Sequence, residues 1–329
     1  MTDEPTRFGI VGFGLFAERT ILPAIRGSGN AVVSALQKRS TDAARAKANE
    51  HGIPHAFSSV GELVRHSDVD AVFIVSANAA HADEAIAAAR AGKHILVEKP
   101  MAATVPQAER MVEACRTAGV QLMVGHMVRL SPVIARMKQL ISEGVIGTVS
   151  CIETQFFYDH RLSHRAWLFD PSVAGGGPVH DIGVHCLDTI RYLLDDNPAK
   201  VHSVLDSSPT GNRTESTAAV ILQFSRGVLG SIYCSFAGSY RRSFIEVRGT
   251  EGTVSAFDFT RSGMPVILHR VHAHEGEPLQ PQIEQISVPN LYSQEVRLFV
   301  DSIRAQQPNP IPGEEGLINQ RILEQILSS

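Results

Sequence analysis

Phe8-Gly9-Ile10-Val11-Gly12-Phe13-Gly14-Leu15-Phe16-Ala17 is the stretch on which the fold turns. A short apolar run, Phe8–Val11, enters a G-x-G-x-x-A pattern at Gly12, Gly14 and Ala17. The first glycine permits a tight turn, and the second lets backbone approach a pyrophosphate. The small third residue lets the next helix pack closely on the strand, and that helix's N-terminus attracts the anion. Alone the pattern is weak, since an ordinary strand–helix turn can carry it. Its context is stronger. Further apolar runs follow at Val32–Leu36, Ala71–Val75, His94–Val97 and Gln121–Val124, with helical stretches such as Thr41–His51, Ala80–Ala91 and Pro106–Ala118 between them. Continuous apolar runs suit strands covered on both faces, and parallel strands need helical crossovers. The reading is α/β: a doubly wound parallel sheet opening the chain.

Working outward, the texture changes near Val124. Residues 1–124 hold 24 alanines and five aromatics, all Phe; residues 125–329 hold ten alanines and fifteen aromatics, Trp167 among them. Alanine favours helices, whereas aromatic and β-branched residues favour strands. After a helix expected over Pro132–Glu143, longer alternating runs occur at Thr148–Tyr158, Thr217–Phe224, Val228–Phe236, Phe244–Arg248 and Gly252–Phe257. Arg226-Gly227 joins two of them as a hairpin turn. A large, mostly antiparallel sheet with a few helices is predicted, and helices over Ser293–Ala305 and Glu315–Leu327 end the chain. The expected division is 1–124 and 125–329.

Length and composition set the outer limits. At 329 residues, 43% hydrophobic and 19% charged, the chain has the apolar mass for two folded domains. A formal charge of −4 argues against nucleic acid as partner, because phosphate-dominated binding wants a basic surface. Cys115, Cys151, Cys186 and Cys234 lie far apart with no C-x-x-C pair, so neither a disulfide scaffold nor structural zinc is expected. No apolar stretch reaches a membrane span, and the polar start before Phe8 reads as no signal peptide. A cytoplasmic protein is expected, with no membrane partner.

The end of the second strand normally chooses between NAD and NADP. An acidic residue there bonds the adenosine ribose 2′-hydroxyl. This chain instead reads Gln37-Lys38-Arg39-Ser40, and Asp42 already belongs to the helix. Lys38, Arg39 and Ser40 can hold a 2′-phosphate, with Arg39 also able to stack on adenine. The expectation is NADP, with NAD possible; a solvated basic loop is the alternative.

Two more stretches bear on chemistry. Val97-Glu98-Lys99-Pro100 places a lysine at the carboxyl edge of the sheet. Gly175-Gly176-Gly177-Pro178-Val179-His180-Asp181-Ile182-Gly183-Val184-His185 puts Asp181 and His185 on one helix face, after a permissive glycine loop and a proline suited to a first helical position. With these residues the chain resembles the Gfo/Idh/MocA oxidoreductases. The likeness runs from the glycine turn (Gly12, Phe13, Gly14, Leu15, Phe16, Ala17) through Asn78-x-x-His81, Glu98-Lys99-Pro100, Arg129-x-x-Pro132 and the 175–185 motif to Glu295-x-x-x-Phe299 and Gly313-x-Glu315-Gly316-Leu317.

The resemblance implies a Rossmann domain that binds NAD(P), then an α/β domain for substrate binding and for homodimer or homotetramer formation through its open sheet. It implies hydride transfer between nicotinamide and a sugar, polyol or related hydroxy/keto compound. It makes Lys99, Asp181 and His185 the catalytic residues, sets Asn78, His81, Glu98 and Lys99 beside the cofactor, and adds Arg129 and Trp167 to the substrate site. The chemistry is sound in its own right. A carbinol losing hydride must lose its hydroxyl proton, histidine titrates in the useful range, and lysine can steady alkoxide-like charge. The alternatives are a solvated strand-end lysine, a capping acid with a buried histidine, and Asn78 as a helix N-cap. His180, Asp181 and His185 as zinc ligands is disfavoured, because positions i, i+1 and i+5 share no helix face. One departure stands out. Many relatives have Trp-Arg before the glycine loop, where this chain has Trp167-Leu168 after a polar segment, Tyr158-Asp159-His160-Arg161-Leu162-Ser163-His164-Arg165. That segment reads either as a substrate loop, suited to an anionic sugar, or as solvated surface. Two other functions stay open: a catalytically silent dinucleotide-binding protein, and an enzyme using tightly held NAD(P) without net redox change.

Overall fold

A computed structural model describes residues 4–162, 165–206, 214–272 and 281–329, so Ser163 and His164 of the polar segment lie outside the described residues. The chain forms two compact units: residues 1–125 with 292–321, and residues 126–291 with 322–329.

The first unit is built on a six-stranded parallel sheet. Its strands are β1 (Thr6–Val11), β2 (Ala31–Gln37), β3 (His55–Phe57), β4 (Ala71–Ile74), β5 (His94–Glu98) and β6 (Leu122–Gly125). Their order is β3-β2-β1-β4-β5-β6, so the winding reverses between β1 and β4. Ligand crevices of doubly wound sheets lie at that reversal, outside the carboxyl ends of the strands. Ile10, Val11, Leu36, Val72, Phe73 and Ile95 are completely buried, as two covered faces require. Helix limits follow local chemistry. Thr41–His51 starts at Ser40, whose Oγ accepts the Ala43 N–H, and stops at Gly52 with φ +62°. Val105–Ala118 opens with a reciprocal capping box between Thr104 and Gln107.

The second unit carries an eight-stranded sheet: β7 (Val149–Asp159), β8 (Pro198–Asp206), β9 (Thr217–Phe224), β10 (Leu229–Ser235), β11 (Ala237–Gly249), β12 (Gly252–Phe257), β13 (Val266–His272) and β14 (Gln282–Ile286). The order is β14-β13-β12-β11-β7-β10-β9-β8. β7 and β10 pair in parallel, and the other neighbours are antiparallel. Gly227, at φ +82°, turns the hairpin between β9 and β10. β8 and β14 close the two edges of the sheet.

The expected second segment, 125–329, is not kept together. Residues 292–321 return to the first unit. The cause is the apolar stripe of helix Leu291–Ala305: Val296, Phe299 and Val300 are fully buried, and Phe299 lies 6.3 Å from Phe8 of β1. Asn30 ties the same helix down through the Arg297 carbonyl and Asp301. No helix among the described residues is long and apolar enough to cross a membrane.

Candidate functional site

The glycine turn has the geometry its sequence asks for. Gly12 adopts φ +83°, and a Cβ there would sit 2.7 Å from the Ser76 backbone, so only glycine fits. Gly14 is open, with nothing nearer to a Cβ than the Gly12 carbonyl at 3.8 Å, which leaves room for a pyrophosphate against the backbone. Ala17 is buried where the helix crosses the strand, Phe13 is buried, and Leu15 and Phe16 are exposed. Gln37, where an acid would contact ribose, instead ties the turn together. Its Oε1 accepts the Gly12 N–H at 3.1 Å, its carbonyl accepts the Phe13 N–H at 2.9 Å, and its Nε2 donates to the Ser58 carbonyl. Lys38 Nζ donates to the Phe13 carbonyl at 3.1 Å, Arg39 is exposed, and Ser40 caps the next helix. The basic cluster thus sits at the turn and at a helix N-terminus, both suited to a phosphate.

At the end of β5, Glu98 is buried and its Oε2 accepts the Lys99 backbone N–H at 3.1 Å. Lys99 is half-buried, and the Lys99–Pro100 peptide is cis. His81 is fully buried between two carbonyl oxygens, Pro100 O and Ser76 O, each 3.1 Å away. Burial pushes its ring down to about 4, so the neutral ring donates to one of them. Asn78 is buried as the first residue of helix Asn78–Arg90; Ala77 holds the N-cap position, so the capping alternative for Asn78 fails. Glu295 is fully buried in the same unit, and burial, then the Glu98 charge, push its carboxyl well up.

In the second unit, Gly175-Gly176-Gly177 leads into a wide π-type turn, Val179–Gly183, which continues as the α-helix Val184–Leu194. Such turns cluster at functional sites. Asp181 and His185 are both more than nine-tenths buried on this segment, and the His185 ring lies 6.2 Å from Phe156 of β7. A Cβ on Gly177 would collide with the Glu215 carbonyl oxygen, and the Glu215 carboxylate accepts the Val179 N–H at 3.0 Å. Asp181 is held by two side chains of the polar segment 158–165. Arg165 donates through Nη1 to Oδ1 at 3.0 Å and through Nη2 to Oδ2 at 2.9 Å, and the Tyr158 hydroxyl donates to Oδ2 at 2.9 Å. Burial and the Asp181 charge raise the Tyr158 phenol; burial acts to lower the Arg165 guanidinium, and the Asp181 charge and hydrogen bond outweigh it and raise it. The available signal was an arginine two residues before Trp167, in a chain lacking one just after it.

The other expected substrate residues are differently placed. Arg129 is committed to buried Asp188, Nε to Oδ2 at 2.8 Å, and lies 5.6 Å over the Tyr192 ring, so it braces the helix that carries His185. Trp167 is half-buried with the Arg165 guanidinium 6.0 Å over its ring. Lys99 belongs to the first unit, and Asp181 and His185 to the second. Among the described residues, ligand atoms gather within 4.8 Å of one another at His55, His66 and Asp68 and at Glu18, Glu50 and His51. Both groups are bonded internally: His66 Nδ1 accepts the Asp68 N–H, and Lys47 bridges Glu18 and Glu50.

Known proteins share this construction. Residues 6–126 match the family model for an oxidoreductase family with an NAD-binding Rossmann fold, and residues 134–255 match the GFO/IDH/MocA C-terminal domain. The chain is 33% identical over 314 residues to the 1,5-anhydro-D-fructose reductase of Ensifer adhaerens, covering 94% of this chain and 92% of that protein. It is 28% identical over 339 residues to a D-xylose 1-dehydrogenase [NADP(+)] of Haloarcula marismortui, covering 99% and 91%. Among solved structures, the aldose-aldose oxidoreductase of Caulobacter crescentus superposes with TM-score 0.88 at 26% identity, covering 99% of this chain and 97% of that one. Glycine turn, parallel sheet, mostly antiparallel second sheet and whole-length relatives agree: the chain belongs to the Gfo/Idh/MocA family of NAD(P)-dependent oxidoreductases.

Proposed function

We propose that the chain is an NADP-dependent oxidoreductase acting on the carbinol or carbonyl carbon of a sugar, polyol or related hydroxy/keto compound. The observation that carries this reading is the buried helix start on which Asp181 and His185 stand four residues apart, behind the glycine loop. The relatives named for 1,5-anhydro-D-fructose and D-xylose support the substrate class. Nicotinamide, when bound, supplies or accepts the hydride. His185 takes the hydroxyl proton in oxidation and returns it in reduction. Lys99 is the second proposed catalytic group, a cation able to steady alkoxide-like charge. Asp181 accepts from a substrate hydroxyl and orients the ring. Gly12, Gly14 and the helix after them hold the pyrophosphate, while Lys38, Arg39 and Ser40 hold the 2′-phosphate.

The test is turnover at 340 nm with NADPH and 1,5-anhydro-D-fructose, and with NADP and D-xylose, within a wider sugar and polyol panel. Lys99→Met and His185→Ala should each lower kcat by roughly 10²-fold or more while NADPH affinity, read by fluorescence, stays close to wild type. Wild-type turnover in either variant removes that residue from the mechanism. Arg39→Ala should weaken NADP binding by roughly 10-fold or more and leave NAD binding unchanged. A larger rise in melting temperature with NAD than with NADP on the wild-type protein overturns the cofactor assignment.

A further inference from the structure

The second unit fixes the orientation of the Asp181 carboxylate. Its carboxylate, 5% exposed, receives both oxygens' worth of a fork-like guanidinium contact from Arg165 and a hydroxyl from Tyr158, and Arg165 Nη2 also lies 3.4 Å from the Tyr158 oxygen. Bidentate charge-assisted contacts of this kind favour the ionised acid and set its plane. The three residues come from three places, the end of β7, the segment after it and the wide helical turn, so the cluster is made by the fold and not by local sequence. We propose that Arg165 and Tyr158 are positioning residues that lock Asp181 as an acceptor-only carboxylate, which excludes Asp181 from proton exchange with substrate and leaves that exchange to His185.

This inference deepens the proposed function and rests on it for the catalytic part alone. Two physical features favour a lock over a surface ion pair. Exposed pairs contribute little, but removing one partner of a buried carboxylate strands its charge. Tyr158 is half-buried and its ring packs against Phe236, 5.2 Å between rings, which fixes the direction of its hydroxyl. The titratable neighbours on the packed elements are His180 and His185 on the same segment, Glu215 bonded to Val179, and Asp159 and His160 at the end of β7. Burial pushes His180 down to about 4, which keeps it neutral, and Asp159 is paired with Arg161.

Infrared difference spectra between protein labelled with [13C]aspartate and its Asp181→Asn variant read the Asp181 ionisation without any substrate. In the wild-type protein the Asp181 band is expected to remain that of a carboxylate from about pH 5 to about pH 8. Arg165→Met should show a protonated carboxyl at the acid end that titrates away, and Arg165→Lys should restore most of the carboxylate band. An unchanged carboxylate band in Arg165→Met across that range overturns the proposal. Should Arg165→Met fail to fold, Tyr158→Phe and Arg165→Gln carry the test by shifts in the same direction, and no shift in either overturns it. With NADPH and 1,5-anhydro-D-fructose, Arg165→Met should lower kcat roughly 10²-fold and move the acid limb of kcat/KM upward, with the lysine variant returning the limb. A merely structural role would lower the melting temperature and leave the limb in place. Wild-type turnover in Asp181→Asn, Lys99→Met and His185→Ala together would defeat the proposed function, while the infrared measurement would still decide the lock.

Discussion

Ser76 shows how a single side chain couples the glycine turn to a titrating group. It stands just beyond β4, its backbone occupies the space a Cβ on Gly12 would need, and its hydroxyl donates to Glu84 Oε2 at 2.5 Å. Burial raises the Glu84 carboxyl to about 7, against an opposing effect of the Ser76 hydrogen bond. In the unfolded chain the same group titrates near 4.5. The folded state therefore binds this proton more tightly. Its contribution to stability is greatest below the unfolded value and is lost as pH rises through about 7. Glu84→Gln, which keeps an acceptor and a similar shape, should be more stable than wild type above about pH 7 and should flatten the fall of Tm between pH 5 and 8. Differential scanning fluorimetry across that range checks it. A wild-type slope unchanged by the substitution would place the proton elsewhere, Glu295 being the next group to test.

The helix beginning at Val179 is the element that presents Asp181 and His185, and its start is held from outside the helix. Pro178 has no N–H to satisfy, the Val179 N–H goes to the Glu215 carboxylate, and the Gly177 backbone bonds to the same group. Glu215 thus performs the capping role from 36 residues away. Removing it in Glu215→Ala leaves buried donors unmet and should cost about 1–3 kcal/mol, lowering Tm by roughly 2–8 °C. Hydrogen exchange should speed up at Val179 to Gly183 first, and kcat should fall more than NADPH affinity; exchange unchanged over that turn would deny Glu215 the cap. This element also shows what a sequence can disclose. The helix carrying Asp181 and His185 was legible because turn glycines and Pro178 precede it, and helix Thr41–His51 was legible because it lies between two apolar runs. The polar segment holding Tyr158 and Arg165 was legible as a loop, but its pairing with Asp181 was not, nor was the Glu215 cap, because these partners become neighbours through strand pairing and loop return. β8, β13 and β14 are weak in the sequence for another reason: they lie at or next to the sheet's edges, mostly half-buried or exposed, so the apolar alternation that marks an inner strand is faint in them. Residues 292–321 pack in the first unit although they follow the second in the chain, because a helix's apolar stripe shows that it packs without showing on what.

At the scale of the molecule, one face of the eight-stranded sheet bears helices and the other carries a row of side chains in cross-strand register. Val204, Ala219, Tyr233, Gln155, Phe244 and Phe257 are successive partners from β8 through β9, β10, β7 and β11 to β12. Val204 is 75% exposed, Tyr233 45% and Phe257 44%, with Ile221, Ile267 and Ile283 also outward. The neighbouring row is polar: Glu153 and Glu246 oppose one another across β7 and β11, and both ion-pair with Arg248. An apolar stripe beside a charged one is a surface that a second copy can match by a two-fold rotation, stripe on stripe and Arg248 toward a carboxylate. The chain is therefore expected to self-associate through this face, and light scattering should give a mass at least twice the 35.6 kDa of one chain. Tyr233→Arg with Val204→Arg places unpaired charge within the stripe and at its β8 end while leaving the buried face of β8 and β10 untouched. That variant should scatter as a single chain, keep its melting transition in the presence of NADPH, and return toward the associated mass only when the charge is reversed on the opposing side. A wild-type protein that scatters as one chain at tens of micromolar would show instead that the stripe faces solvent, and the apolar exposure of Val204 and Tyr233 would then need a different partner.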